Sequence, residues 1–453
     1  MNHRRFKYFM PERIEFSTTG QETLLSVSEY FGVKPRSEAF DKDSAKSRAE
    51  SLEGYRRVYA GDFVMNYMLA WKGAYGVSEY DGIVSPAYAV YRINPLYADR
   101  RFIHHHLRSP HMHSVFKAQS KGIIDSRLRL YPDTFLSMRI DLPDLDTQKA
   151  IADFLDRETD CIDQVIKKKQ RLIELLTEKR KALITHTVTR GLDPDDPDRK
   201  RDHQTPEGSG EASQVTEKVC QVYREIPSGW KLQKIKFFAD ICNSNVDKII
   251  SEGEKPVRLC NYTDVYYNER ITPDLHFMQG SATTAEIRRF QLKSGQVLIT
   301  KDSESWDDIG IPALVTESMS DVLCGYHLAI IKPYKALDGG FFAWLGRSDP
   351  LNDQFKLAAN GVTRFGIGLY AMKNAFISLP SITIQKTIAD FLDRETYRID
   401  QLIEKTQQSI TLLSEFRSVL ITAAVTSQID VTTWKKNGRT DRHLDQIKKE
   451  MEA

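Results

Sequence analysis

The sequence predicts an α+β chain built as an internal repeat, two related mixed domains each followed by a copy of one long helix. Three observations carry this expectation. Residues 148–159 read Gln-Lys-Ala-Ile-Ala-Asp-Phe-Leu-Asp-Arg-Glu-Thr, and residues 385–396 read Gln-Lys-Thr-Ile-Ala-Asp-Phe-Leu-Asp-Arg-Glu-Thr. The match runs without a gap to Ile184-Thr185 and Ile421-Thr422, so roughly 142–189 and 379–426 are copies. Each copy follows a larger, more divergent segment of short apolar runs bounded by Gly, Pro, Ser and Asp, which suits strands and tight turns.

Residues 1–141 form the first of these segments. Leu24–Ser28, Gly61–Met65 and Ala87–Tyr91 read as strands, and Lys42 to Glu50 as a polar helix or solvated loop. Between the second and third runs lie Trp71–Ser78 and Asp81–Pro86, whose density of glycine, aromatic and hydroxyl residues marks an ordered loop that presents side chains.

From Thr147 the period becomes helical. Ile162, Ile166, Ile173, Leu176 and Leu183 fall on one stripe, and Ile399, Ile403, Ile410, Leu413 and Leu420 occupy the same places in the second copy. A helix of about forty residues would span on the order of 60 Å, too long to bury against one small domain. The expected solution for residues 142–190 and 379–427 is that the two stripes bury each other as a coiled coil. Arg157, Glu158, Arg394 and Glu395 suit either partner docking or local capping and pairing; Asp153 and Arg157 stand four apart, so an intrahelical ion pair accounts for them without a partner.

Residues 191–225 are polar and punctuated by Pro and Gly, as in a linker or crossover. The second domain, 226–378, opens at Ile226-Pro227-Ser228-Gly229-Trp230. Its apolar runs at Val257–Asn261, Gly295–Thr300 and Tyr326–Ile330 lie close to the helix offset from their first-domain counterparts, which makes the globular halves diverged copies of one fold. Residues 428–453 form a polar tail.

Composition excludes several classes. Hydrophobic residues make up 41% of the 453, ordinary for a globular chain, and no apolar run approaches the eighteen needed to span a membrane, so a cytoplasmic protein is expected. Five scattered cysteines without a C-x-x-C pair fit neither a disulfide framework nor a zinc ribbon. A net charge of +2 does not decide for or against nucleic acid, because binding depends on clustering. His104-His105-His106 with His111 and His113 suggests metal, but three consecutive histidines point apart and no ligand set is completed, so no metal is expected. Asn94-Pro95-Leu96-Tyr97 is similar to an adenine-methyltransferase motif but has Leu at its third position and no glycine-rich cofactor loop; a turn is expected. There is no Walker loop.

These features together resemble the specificity subunit of type I restriction–modification systems. The resemblance rests on the two Gln-Lys-x-Ile-Ala-Asp-Phe-Leu-Asp-Arg-Glu-Thr helix starts, Leu142-Pro143 and Leu379-Pro380 before them, and Ile226-Pro227-Ser228-Gly229-Trp230. Asn66–Ala74, Gly82–Tyr88 and Ile299–Ser303 look like target-recognition loops. It covers about residues 1–430; the first domain lacks the Ile-Pro-x-Gly-Trp opening. The resemblance implies two target recognition domains separated by an antiparallel helix pair with a pseudo-twofold repeat, reading a bipartite site in double-stranded DNA. It further implies no catalysis or cofactor in this chain, two methylation subunits docked on the helical spacer, and restriction subunits joining them. S-adenosylmethionine, ATP and Mg would belong to those partners. A protein-binding scaffold and a self-contained methyltransferase or nuclease are the competing classes.

Candidate DNA contacts are Lys72, Tyr75, Ser85, Tyr88, Lys121 and Arg127 in the first domain. In the second they are Lys301, Ser303, Trp306, Tyr326, His327 and Arg364. Lys and Arg suit phosphates and base edges, and aromatic or hydroxyl residues suit bases, though the same aromatics would serve equally to pack a loop.

Overall fold

The computed structural model describes residues 2–39, 51–124, 127–192, 201–202, 223 and 226–431. The expectations for Lys42–Glu50, most of the linker and residues 432–453 lie outside them. The chain divides into two compact units, Met1–Arg171 with Thr406–Ala453, and Leu172–Lys405. Each unit therefore takes a domain together with parts of both long helices, where the sequence boundaries separate domain from helix.

In the first unit a fully buried strand, Asp62–Asn66, pairs antiparallel with Tyr75–Val77 on one side and Tyr88–Arg92 on the other. Strand period sets its two faces. Phe63 and Met65 join the main core with Ala89 and Tyr91, while Val64 and Val90 join a smaller core with Leu25, Val27, Val33, Val58 and Val84. Helices Arg100–Leu107, Pro110–Gln119 and Pro132–Ser137 cover the main-core face. Strand Asn2–Arg5 pairs with Arg139–Leu142, which leads into the first long helix.

The second unit repeats this order. Strand Val297–Thr300 lies between Leu328–Pro333 and Pro312–Val315. Val297, Ile299, Ala329 and Ile331 face the core shared with the helices; Leu298, Leu328 and Ile330 face a second core closed by a four-stranded sheet. Helices Gly339–Gly346, Asp349–Ala358 and Leu369–Asn374 follow, and Lys231–Lys234 pairs with Phe376–Leu379 before the second long helix.

The long helices span Leu145–Arg190, 46 residues, and Ile382–Val425, 44 residues. Asp144 starts the first by accepting from the Thr147 backbone at 2.9 Å, and Gly191 in the left-handed region stops it. No helix among the described residues is long and apolar enough to cross a membrane.

Packing of these helices differs from a simple zipper. Ile151, Ala152, Phe154, Leu155 and Ile162 enter the first unit's main core together with Leu413, Leu420, Ile421, Ala424 and Val425. In the second unit Ile388, Ala389 and Leu392 share a core with Ile184 and Val188, against which Leu183 packs half-buried. Each unit thus joins the start of one helix to the end of the other, an antiparallel pairing. Arg417 to Asp163 at 2.8 Å and Arg180 to Asp400 at 2.9 Å link the pairs laterally. Of the expected stripe, Ile162, Ile399, Ile410, Leu413 and Leu420 are buried, whereas Ile166, Ile173, Leu176, Leu183 and Ile403 are half-exposed.

Candidate nucleic-acid interface

In both units the end of the buried central strand launches the candidate loop. After Asn66 the chain turns back, with the Asn66 amide donating to Ala74 O at 3.0 Å, through a short turn at Ala70–Lys72 closed by Gly73 at φ 96°. Lys72 is exposed, its ammonium 5.2 Å from the Trp71 ring, and Lys117 lies 5.6 Å from the same ring. His113 Nε2 meets Trp71 O at 2.6 Å. Arg108 fastens the loop from beneath, donating to Gly73 O at 3.2 Å, Tyr75 O at 2.5 Å and Glu29 O at 2.9 Å. Its burial pulls the guanidinium below its ordinary value.

Two first-domain expectations need correction. Tyr75 is buried, edge-on to Phe116 at 5.1 Å, with its phenol pushed up by burial; it is a core residue because it lies on the strand beside Asp62–Asn66. Tyr88 is half-buried against the smaller core, where burial raises its phenol, so its ring serves packing first. Ser85 is half-buried and holds a turn, its carbonyl accepting from the Tyr88 amide at 2.9 Å. Lys121 and Arg127 are exposed on a hairpin tip closed by the Lys121–Arg129 bridge, with Ile123 and Ile124 also exposed.

The second domain has the equivalent tip. Strands Ala359–Asn360 and Phe365–Ile367 pair around a turn at Gly361, leaving Val362 and Arg364 exposed. Phe365 and Gly366 pair in turn with Ser303 and Asp302, which brings Arg364 beside the Lys301 loop. An exposed β-branched residue followed by arginine at both tips was not singled out from sequence. Only the pairing shows that the tips correspond.

Lys301 is half-buried and donates to Asp302 Oδ2 at 2.7 Å, and His327 Nδ1 meets the same oxygen at 3.1 Å. Burial opposes ionisation of Asp302, but the Lys301 and His327 hydrogen bonds outweigh it and hold the carboxyl below its usual range. The Tyr326 ring lies 3.7 Å from that of His327. Ser303 is a correction: it is buried, bonded to Asp308, which also accepts from Tyr266 Oη at 3.0 Å. That network carries the Trp306–Asp308 turn and leaves Trp306 53% exposed. Asp302, Asp308 and the stacked Tyr262 and Tyr266 were missed as scaffold because acidic and tyrosine residues carry no spacing signal in a loop.

The glutamine of the duplicated helix start makes the same contacts in each unit. Gln148, fully buried, accepts from the Asp99 amide at 2.9 Å and donates to Tyr97 O at 3.1 Å and Pro143 O at 2.9 Å. Gln385 accepts from the Asp338 amide at 2.8 Å and donates to Ala336 O at 3.0 Å and Pro380 O at 2.9 Å. Asp99 and Asp338 each cap the helix that follows. Asp156 accepts from Arg101 at 2.8 Å and meets His105 at 2.6 Å; Asp393, its copy, pairs with Arg270 at 2.5 Å and accepts from Trp344 Nε1 at 2.9 Å.

The expected Asp153–Arg157 pair is replaced by a long-range partner for Asp153 and a neighbouring one for Arg157, so Arg157 and Glu158 pair locally though not as expected. Asp153 meets Arg101 at 2.7 Å and Arg157 meets Glu158 at 2.9 Å, because Arg101 from the capped helix reaches across to the long helix. Arg394 and Arg398 pair with Glu395. Three of the histidines have separate partners. His104 accepts from the Val77 amide at 3.3 Å, His105 meets Asp156 and His113 meets Trp71 O. Asn94 forms a turn, its carbonyl accepting from the Tyr97 amide at 3.1 Å.

No family model and no curated protein sequence matches the chain. Solved structures do. A chain from a study of complex assembly and conformational transition of the type I R-M system aligns with TM-score 0.66 at 14% identity, covering 94% of this chain and 97% of that one. The HsdS subunit from Thermoanaerobacter tengcongensis aligns with TM-score 0.52 at 16% identity, over the same shares of the two chains. With two related mixed domains, each tied by a copied glutamine to a long helix, the chain has the fold of type I restriction–modification specificity subunits.

Proposed function

We propose that this chain is the DNA-recognition subunit of a type I restriction–modification complex. One observation carries the reading: two copies of one domain are fastened to two copied long helices by equivalent glutamine contacts, while the loops launched from their central strands differ in most of their side chains. Equivalent fastening with different loops suits two readers of two different half-sites. Lys72 and Trp306 are exposed on those loops, and Lys121, Arg127 and Arg364 on the two hairpin tips; all five are assigned to duplex contact, with Lys301, Tyr326 and His327 contributing from the Asp302 cluster.

In this reading the chain selects the site and catalyses nothing. Two methylation subunits dock on the helical spacer and restriction subunits join them in the cytoplasm. Those partners bring S-adenosylmethionine, ATP and Mg, and flip the target adenine into a methylating pocket. The chain co-purified with its methylation subunits is expected to direct adenine methylation to a two-part motif. Methylation that is unchanged when the chain is omitted would overturn the proposal.

A further inference from the structure

We propose that the strand pair Asn2–Arg5 and Arg139–Leu142 carries a second phosphate-binding surface, for duplex DNA outside the bases read by the loops. This rests on the DNA-recognition reading. A concavity of about 630 Å³ is lined by His3, Arg4, Arg5, Tyr8, Tyr97 and Arg139. None of these belongs to the candidate loops.

Arg5 and Arg139 stand directly opposite each other on the antiparallel ladder. Like charges so placed, with side chains about 5 Å apart at Cβ, destabilise a strand pair. Among the described residues no carboxylate pairs with Arg4, Arg5 or Arg139; only His3 has one, Asp141 at 2.9 Å. The fold does not require the clash, because the second unit builds the same ladder without it. There Lys234 faces Phe376, its ammonium 5.3 Å from the ring, and Lys231 faces Leu379. A repulsion retained in one copy and absent from the other fits an external anion that relieves it.

The chemistry favours nucleic acid. The Arg4 guanidinium lies 4.6 Å over the Tyr97 ring, which holds its plane and leaves its edge free to donate. Lys7 extends the cationic face beyond Tyr8. Several cations within one concavity match duplex DNA, which carries a negative charge about every 1.7 Å of its axis. Interleaved arginine and tyrosine complete a surface suited to a backbone without reading its sequence.

The test uses the full chain and a mixed-sequence duplex of about thirty base pairs, titrated from about 50 to about 200 mM salt. R4A/R5A/R139A is expected to lower the slope of log K against log salt by about 2 to 3, at about 0.9 per phosphate lost, and R4K/R5K/R139K to retain it. R5Q/R139Q, which keeps side chains suited to the ladder, should unfold no earlier than the unaltered chain yet bind the duplex more weakly. An unchanged slope in the alanine and glutamine variants overturns the proposal. So does an unchanged slope accompanied by lost affinity for the methylation subunit, which would make the face an acidic-protein dock. The recognition reading fails separately, if the unaltered chain shows no preference for its methylated motif over a scrambled duplex.

Discussion

Lys72 and Tyr75 lie three residues apart, one in the loop and one at the start of the strand that follows, and one faces solvent while the other fills the core. Lys72→Ala is therefore expected to weaken duplex binding and lower its salt slope by about 1, while Tyr75→Phe leaves both unchanged; fluorescence anisotropy across a salt series checks the pair. The sequence made the loop legible through its glycine and aromatic density but could not say which side chains turn inward, because that depends on where the strand Tyr75–Val77 begins. Ser303 and Tyr88 were misread for the same reason. Histidine chemistry gives a second expectation at this scale. Burial holds His104 at about 3 and His106 at about 4, below the ordinary 6.5, so an unfolded chain binds more protons as pH falls. Stability is present above about pH 6.5 and is lost toward those values, at up to ~1.4 kcal/mol per pH unit for each histidine. The second unit places Ala343 and Leu345 at the matching helix positions. H104A/H106L should flatten the acid side of the denaturation midpoint against pH, and a slope unchanged between pH 6 and pH 4 would contradict buried neutral histidines.

Among elements, the long helices were the most legible, since a gapless copy with a helical stripe leaves little else to fit. Their packing was less so. The sequence suggested two stripes burying each other, whereas Ile151, Phe154 and Leu155 enter a domain core beside Phe63 and Phe102. A periodic stripe reports that a face is buried but not what covers it. Gln148 and Gln385 were recognised as part of the repeat without a role; their partners are backbone atoms of loops some fifty residues earlier, which leave no trace in side-chain identity. Gln148→Ala would leave the half-buried Asp99 amide and the Tyr97 carbonyl without their glutamine partner, and should destabilise the first unit by roughly 1 kcal/mol. Chemical denaturation checks this, and a midpoint equal to that of the unaltered chain would show the clamp to be dispensable.

For the molecule as a whole, duplication is the organising fact. Corresponding central strands divide their residues between two cores in the same alternation, and corresponding loops leave from the same strand ends. The offset of apolar runs made the repeat visible in sequence, but the shared helix start Asp-x-x-Phe followed by Arg-Ser, at Asp99–Ser109 and Asp338–Ser348, emerged only from their common bond to glutamine. Under the proposed function, removing two turns from both long helices shortens them by about 10 Å, or about three base pairs, so the preferred gap should contract accordingly or assembly should fail. The central claim is tested most directly by mapping methylated adenines in DNA exposed to the methylation subunits with and without this chain. The expected result is a single motif of two specified parts separated by a fixed unspecified gap, present only with the chain. Methylation at one contiguous motif, or at the same sites without the chain, would contradict it.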